Sequence, residues 1–248
     1  MNITIIGSGN MGRGIGTRAV AGGHSVTFVD ANPEVAEKAA ADVKAAAKSG
    51  AKVSTASLGD AELGDVVVLA VWYGTNIEIA KQLGSKLAGK VVVDIANPLN
   101  STYDGLATAP DSSSAEDLAK ALVAGAKVVK AFNTTYAGTL MAGEVAGQKL
   151  DVFIAGDDAD DKAKVAQLLG DLDVRAIPHG EHNHVTERGV ERGRFGFQIC
   201  GGFLSGLGVG IHKGHLVSAR DEAGSDPASH VACTNDCYVH VLYLLFEI

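Results

Sequence analysis

Asn2-Ile3-Thr4-Ile5-Ile6-Gly7-Ser8-Gly9-Asn10-Met11-Gly12 is the stretch on which the reading of this chain turns. A short β-branched run breaks at a glycine turn, and Met11, Ile15, Ala19 and Val20 then recur at helical spacing as far as Gly22-Gly23. Ser25-Val26-Thr27-Phe28-Val29 is a second strand, ending at Asp30, 23 residues after Gly7. The G-x-G-x-x-G pattern alone arises by chance in glycine-rich chains. Placed between a strand and a helix, with an acid at this distance, it is the pattern of a dinucleotide-binding βαβ unit. Gly7 would permit the tight turn, Gly9 the approach of a pyrophosphate to the backbone, and Gly12 close packing of helix on strand. Ser8, Asn10 and Met11 complete the turn, and the helix N-terminus offers free N–H groups to phosphate oxygens. Asp30 would accept hydrogen bonds from an adenosine ribose.

Outward from this unit, strands and helices alternate. Asn32-Pro33-Glu34 opens a helix with a capping residue, a proline and an acid, and the alanine-rich run carries it to Lys48 before Gly50. A short strand is expected at Lys52–Thr55, and the unbroken apolar run Asp65–Val71 has the character of a central strand covered on both faces. Helix at Ile77–Leu87, strand at Lys90–Ile95, helix at Ser114–Val123 and strand at Ala126–Phe132 follow. Strand at Asp151–Ala155, helix at Asp158–Leu169 and strand at Asp173–Ile177 close the series. The alternation predicts an α/β fold, a Rossmann-type doubly wound parallel sheet, over residues 1–177. Two connections, Asn97–Ser113 and Asn133–Lys149, are too long for simple turns. Both leave the C-terminal ends of strands, where open α/β sheets bind ligands, which makes them candidate walls of a crevice. Asp157, Asp158, Asp160 and Asp161 stand where a helix begins, and their charge suits the positive end of its dipole better than it suits a metal.

Composition excludes several partners. The 248-residue chain carries a net charge of -8, which disfavours nucleic acid and anionic membrane surfaces. Its longest apolar runs fall far short of the roughly 20 residues of a membrane span. No basic leader region precedes the first strand, and Cys200, Cys233 and Cys237 make no disulfide framework, so a cytoplasmic protein is expected.

After Pro178 the character changes. Seven of the 8 histidines, all 3 cysteines and a single lysine, Lys213, lie there, and helical periodicity is lost. His179, His182, His184, Cys233 and Cys237 match no structural zinc spacing, so no metal is expected. Residues 178–248 read as a separate C-terminal segment, either capping the crevice or mediating homodimerisation. The abrupt break also fits a shift of reading frame near Ile177-Pro178.

Four segments resemble the dinucleotide-binding domain of the NADP oxidoreductases that use the deazaflavin coenzyme F420. They are Ile5–Gly12, Val92–Pro98, Val128–Thr134 and Val152–Asp158, in family-like order over residues 1–177, with Lys130-Ala131-Phe132-Asn133-Thr134 the most specific. The resemblance implies NADP or NAD as cofactor, coenzyme F420 as co-substrate, and hydride transfer between them. It implies that Val71 and Trp72 line the nicotinamide side, and that Ala96-Asn97-Pro98 and Phe132-Asn133-Thr134 wall the ring-stacking site. Small-molecule redox cofactors are then the partners, and no residue stands out as a catalytic acid or base.

The chain departs from the family pattern in two places. Asp30-Ala31-Asn32-Pro33 offers no basic residue for a 2′-phosphate before Lys38, so that only Lys38 or Arg13 could supply one, and the carboxylate favours NAD. The family's short C-terminal segment is not recognisable after Ile177. The Gly9-Asn10-Met11-Gly12 turn also resembles pyrroline-5-carboxylate reductases and β-hydroxyacid dehydrogenases, but residues 178–248 are too aperiodic for their helical domain. A non-catalytic redox sensor that binds NAD(P) is the remaining alternative.

Overall fold

A computed structural model describes residues 1–48, 50–102, 105–109, 112–178, 209–212 and 215–218. Eight strands form one sheet in the order β10-β9-β6-β5-β4-β1-β2-β3. They are β1 Asn2–Ile6, β2 Ser25–Val29, β3 Val53–Ala56, β4 Val66–Leu69, β5 Val91–Asp94, β6 Lys127–Ala131, β9 Asp151–Ala155 and β10 Arg175–Pro178. The run from β3 to β6 is the 3-2-1-4-5-6 order of a Rossmann sheet, with its switch point between β1 and β4.

Side-chain alternation explains the two-sided cover. Ile3, Ile5, Val26, Phe28, Val66, Val68, Val91 and Val93 point to one face. There they meet Ile15, Ala19 and Val20 of α1 (Asn10–Ala21), Ala36, Ala39 and Val43 of α2 (Pro33–Lys44), and Val165, Leu168 and Leu169 of α6 (Ala159–Asp171). Ile6, Val29, Val67, Leu69 and Val92 point the other way, onto Ile79, Ala80 and Leu83 of α3 (Tyr73–Leu83) and Leu118 of α4 (Ser114–Ala121). A strand with apolar residues at every position is what burial on both faces requires, as β4 shows with four fully buried residues.

Boundaries differ from the sequence expectation where tertiary contacts intervene. The second helix ends at Lys44 rather than Lys48, because Ala46 and Ala47 close tight turns and the Lys48 N–H donates to the Val20 carbonyl at the end of α1. The third begins at Tyr73, four residues earlier than expected, and tightens into a 3-10 turn over Gly84–Leu87. Residues 133–149, expected as a loop, contain α5 (Ala137–Ala142) and a small hairpin of β7 (Glu144–Val145) and β8 (Gln148–Lys149). After this excursion β9 pairs with β6 antiparallel, one exception in the doubly wound parallel sheet that was expected. A parallel return needs a crossover long enough to recross the sheet, and six helical residues span only about 9 Å. The acidic run behaves as expected, for Asp158 caps α6 by accepting from the N–H groups of Asp160 and Asp161.

The chain divides into two units, Met1–Pro98 with Ser113–Val185, and Leu99–Ser112 with Thr186–Ile248. In the second, Leu99 and Leu106 form an antiparallel bridge, and β11 (Val209–His212) pairs antiparallel with β12 (His215–Ser218). The expected histidine and cysteine positions 179, 182, 184, 233 and 237 lie outside the described residues, as do residues 238–248. Among the described residues no helix is long and apolar enough to cross a membrane.

Candidate functional site

One row of paired residues organises the site. Val29, Ile6, Leu69, Asp94 and Lys130 lie side by side across β2, β1, β4, β5 and β6. Four strand spacings make this row about 19 Å long. The dinucleotide- and ring-site residues expected from the sequence follow the row by one to four positions or, in the glycine turn, by up to six. Parallel pairing therefore brings Gly7–Gly12, Asp30, Val71–Trp72, Ala96–Pro98 and Phe132–Thr134 to one edge of the sheet.

The glycine turn is packed tightly except at one point. Gly7 adopts φ 99°, and a Cβ there would stand 2.3 Å from the Ala70 carbonyl oxygen and 2.6 Å from Val71 Cγ1. A Cβ on Gly12 would come within 2.0 Å of the Gly7 carbonyl oxygen. On Gly9 it would meet nothing within 4 Å, so the open backbone face lies where a pyrophosphate must approach. The Ser8 hydroxyl is buried with no hydrogen-bond partner among the described residues, which suits an oxygen-rich ligand over the turn. Helices α2, α4 and α6 are capped by their own side chains, Asn32, Ser113 and Asp158. Helix α1, with Gly9 as its N-cap, has no side-chain cap and no acid in its first turn, as is also true of α3, and its positive end is open to an anion. These features fit a dinucleotide phosphate.

Asp30 is held by backbone. Its Oδ2 accepts from the Ser8 N–H at 2.7 Å and its Oδ1 from the Asn32 N–H at 3.0 Å. Arg13, one basic candidate for a 2′-phosphate, donates instead to Asp42 at 3.1 Å and to Asn10 Oδ1 at 2.7 Å. Lys38, the other, is exposed on α2.

From the middle of the row to its β6 end stand the expected ring-site residues. Val71 lies against Gly7, and Trp72, the N-terminal boundary of α3, is 69% exposed rather than packed on the sheet. The Asn97 amide donates to the Asn133 carbonyl at 3.0 Å, joining the two wall segments. Phe132 is buried at φ 62°, a conformation that a bulky L residue adopts only under constraint.

Beneath these walls lies a polar cluster that the sequence reading passed over. Asp94 is fully buried; its carboxylate accepts from Asn76 Nδ2 (2.8 Å), the Ala96 N–H (2.9 Å), Ser114 Oγ (2.7 Å) and Lys130 Nζ (2.8 Å). Lys130 Nζ also donates to the Ala96 carbonyl and to Ser114 Oγ. Nearby, Tyr73 donates to Asp117 at 2.7 Å, and burial together with that bond pushes its hydroxyl up to about 12. The available signal was a charge inside each of two apolar strand runs, Val91-Val92-Val93-Asp94 and Lys127-Val128-Val129-Lys130.

Fold and turn together define a Rossmann-type dinucleotide-binding protein. A family model described as NADP oxidoreductase, coenzyme F420-dependent, matches residues 2–98. The F420-dependent NADP reductase of Methanocaldococcus jannaschii is 32% identical over 192 residues, covering 73% of this chain and 84% of that protein. The protein of the same name from Methanothermobacter thermautotrophicus is 32% identical over 200 residues, covering 76% of this chain and 85% of that one. Among solved structures, a putative F420-dependent NADP-reductase from Arthrobacter superposes with a TM-score of 0.62 at 27% identity, over 83% of this chain and 93% of that one. The chain belongs to the F420-dependent NADP oxidoreductase family.

Proposed function

We propose that this chain transfers a hydride between the deazaflavin coenzyme F420 and a nicotinamide dinucleotide, NADP or NAD. The observation that carries the reading is the single row across β2, β1, β4, β5 and β6, which sets a phosphate-binding turn and two walled segments on one sheet edge. In the reductive direction the hydride leaves C5 of the reduced deazaflavin for C4 of the nicotinamide, and one proton goes to solvent. Such chemistry needs positioning more than acid–base catalysis. Gly7–Gly12 hold the pyrophosphate, Asp30 the adenosine ribose, Val71 and Trp72 the nicotinamide side. Ala96-Asn97-Pro98 and Phe132-Asn133-Thr134 enclose the rings and exclude water.

Asp30 bears on the choice of dinucleotide. Its carboxylate would repel a 2′-phosphate, and Arg13 is engaged by Asp42, so NAD is favoured over the NADP of the relatives' names. Residues 1–177 are the dinucleotide-binding domain in this reading, and residues 178–248 cap the crevice or form a homodimer surface in the cytoplasm.

The test is spectroscopic: reduced deazaflavin and protein, with NADP in one cuvette and NAD in another, following return of the oxidised chromophore. Return is expected in both, faster with NAD. No return in either, from protein that still binds NADH or NADPH, would reject the reading.

A further inference from the structure

The Asp94–Lys130 pair is costly in a way that its surroundings do not require. Both groups lie at adjacent strand ends, beyond the apolar runs Val91–Val93 and Val128-Val129, Asp94 with 0% side-chain exposure and Lys130 with 13%. A buried ion pair of this kind is often no more stabilising than well-packed apolar residues of the same volume. What it adds is geometry. Asp94 accepts four hydrogen bonds, which exhausts its carboxylate, and Lys130 spends its three donors on Asp94, Ser114 and the Ala96 carbonyl. Ala96 is thus gripped through both its N–H and its carbonyl, at the first residue of one wall. Lys130 stands two residues before the other wall, where Phe132 holds its left-handed backbone, and the Asn97–Asn133 bond closes the two segments on each other. Ser114 brings in the start of α4, and Asn76 the first turn of α3.

We infer that Asp94 and Lys130 are positioning residues that hold the walls 96–98 and 132–134 in one register for the nicotinamide ring. The inference rests on the functional reading above for the identity of that ring. The phosphate-binding turn is built from β1, α1 and the end of β2, and it packs on Ala70 and Val71 rather than on Asp94 or Lys130. Loss of the pair therefore loosens the ring end of the site and leaves the phosphate end unchanged.

Binding separates the two ends, because ADP-ribose has the adenosine and pyrophosphate of NADH without its nicotinamide. Lys130→Met would leave the Asp94 charge buried and alone, so the double variant Asp94→Asn/Lys130→Met, which removes both charges, is measured beside it. In whichever variant folds, NADH affinity is expected to fall about tenfold while ADP-ribose affinity stays within about twofold, with 2′-phospho-ADP-ribose and NADPH as the parallel pair. Equal weakening of both ligands, or no change in either, would overturn the inference and leave the pair a structural one. The comparison needs no deazaflavin. Failure of wild-type turnover would count against the functional reading, and failure of the selective loss would count against the pair's positioning role.

Discussion

The two ends of the candidate site are built from opposite materials. At the phosphate end, around Gly7–Gly12, nearly everything is backbone: a left-handed glycine, a carbonyl that excludes any Cβ at Gly12, and uncapped helical N–H groups. At the ring end, the backbone of 96–98 and 132–134 is shaped by charged, amide and hydroxyl side chains that arrive from β5, β6, α3 and α4. A site made of backbone has its constraints written locally, as glycines at fixed spacing. A site made of side-chain braces depends on residues far apart in the chain, such as Asp94 and Lys130, 36 positions from one another.

Substitutions should separate these materials. The largest effect is expected at Gly12→Ala, whose Cβ has no room beside the Gly7 carbonyl; a destabilisation of about 3 kcal/mol, read by thermal unfolding, accompanies loss of dinucleotide binding. Gly9→Ala is the contrast: stability stays within about 1 kcal/mol of wild type, yet dinucleotide affinity in a fluorescence titration falls by about tenfold or more. Equal destabilisation by both substitutions would show that the open face at Gly9 has no functional meaning. Asp30→Ser should leave the fold intact and move the NAD-to-NADP ratio of kcat/KM toward NADP by about tenfold, since one carboxylate no longer opposes the 2′-phosphate. An unchanged ratio would place dinucleotide choice elsewhere.

The smallest effect lies away from both ends. Asp158, hydrogen-bonded to Lys127 and to two N–H groups of α6, is held down to about 2 against an ordinary 3.8. Being depressed in the folded state, it contributes stability that is complete above about pH 4 and lost as pH falls through about 2. Asp158→Asn should flatten stability against pH in that acid window, with turnover at neutral pH unchanged.

Much of the architecture was legible. β1, β2 and β9 have their expected bounds, because β-branched and alternating runs bounded by glycine or acid say the same thing at every level. The direction of β9 was not, since a strand's own pattern carries no orientation and the intervening Ala137–Ala142 helix has fewer than two turns and no side-chain cap to announce it. That helix packs on α1 over Gly14, where a Cβ would sit 3.4 Å from the Ala137 carbonyl oxygen and 3.5 Å from Leu140 Cδ2. At the site, the turn and Asp30 could be named from spacing. Asn76 and Ser114 could not, because their significance lies in mutual contact, and Asp94 showed only as a charge at the end of an apolar run.

Direct hydride transfer at the ring end can be followed with an isotope. Reduced deazaflavin dideuterated at C5 is mixed with the protein and NAD or NADP in ordinary water, and the reduced nicotinamide is analysed by mass spectrometry. One deuterium in the nicotinamide product is predicted, carried over without exchange. A product holding only protium from the solvent would contradict direct transfer between the two rings.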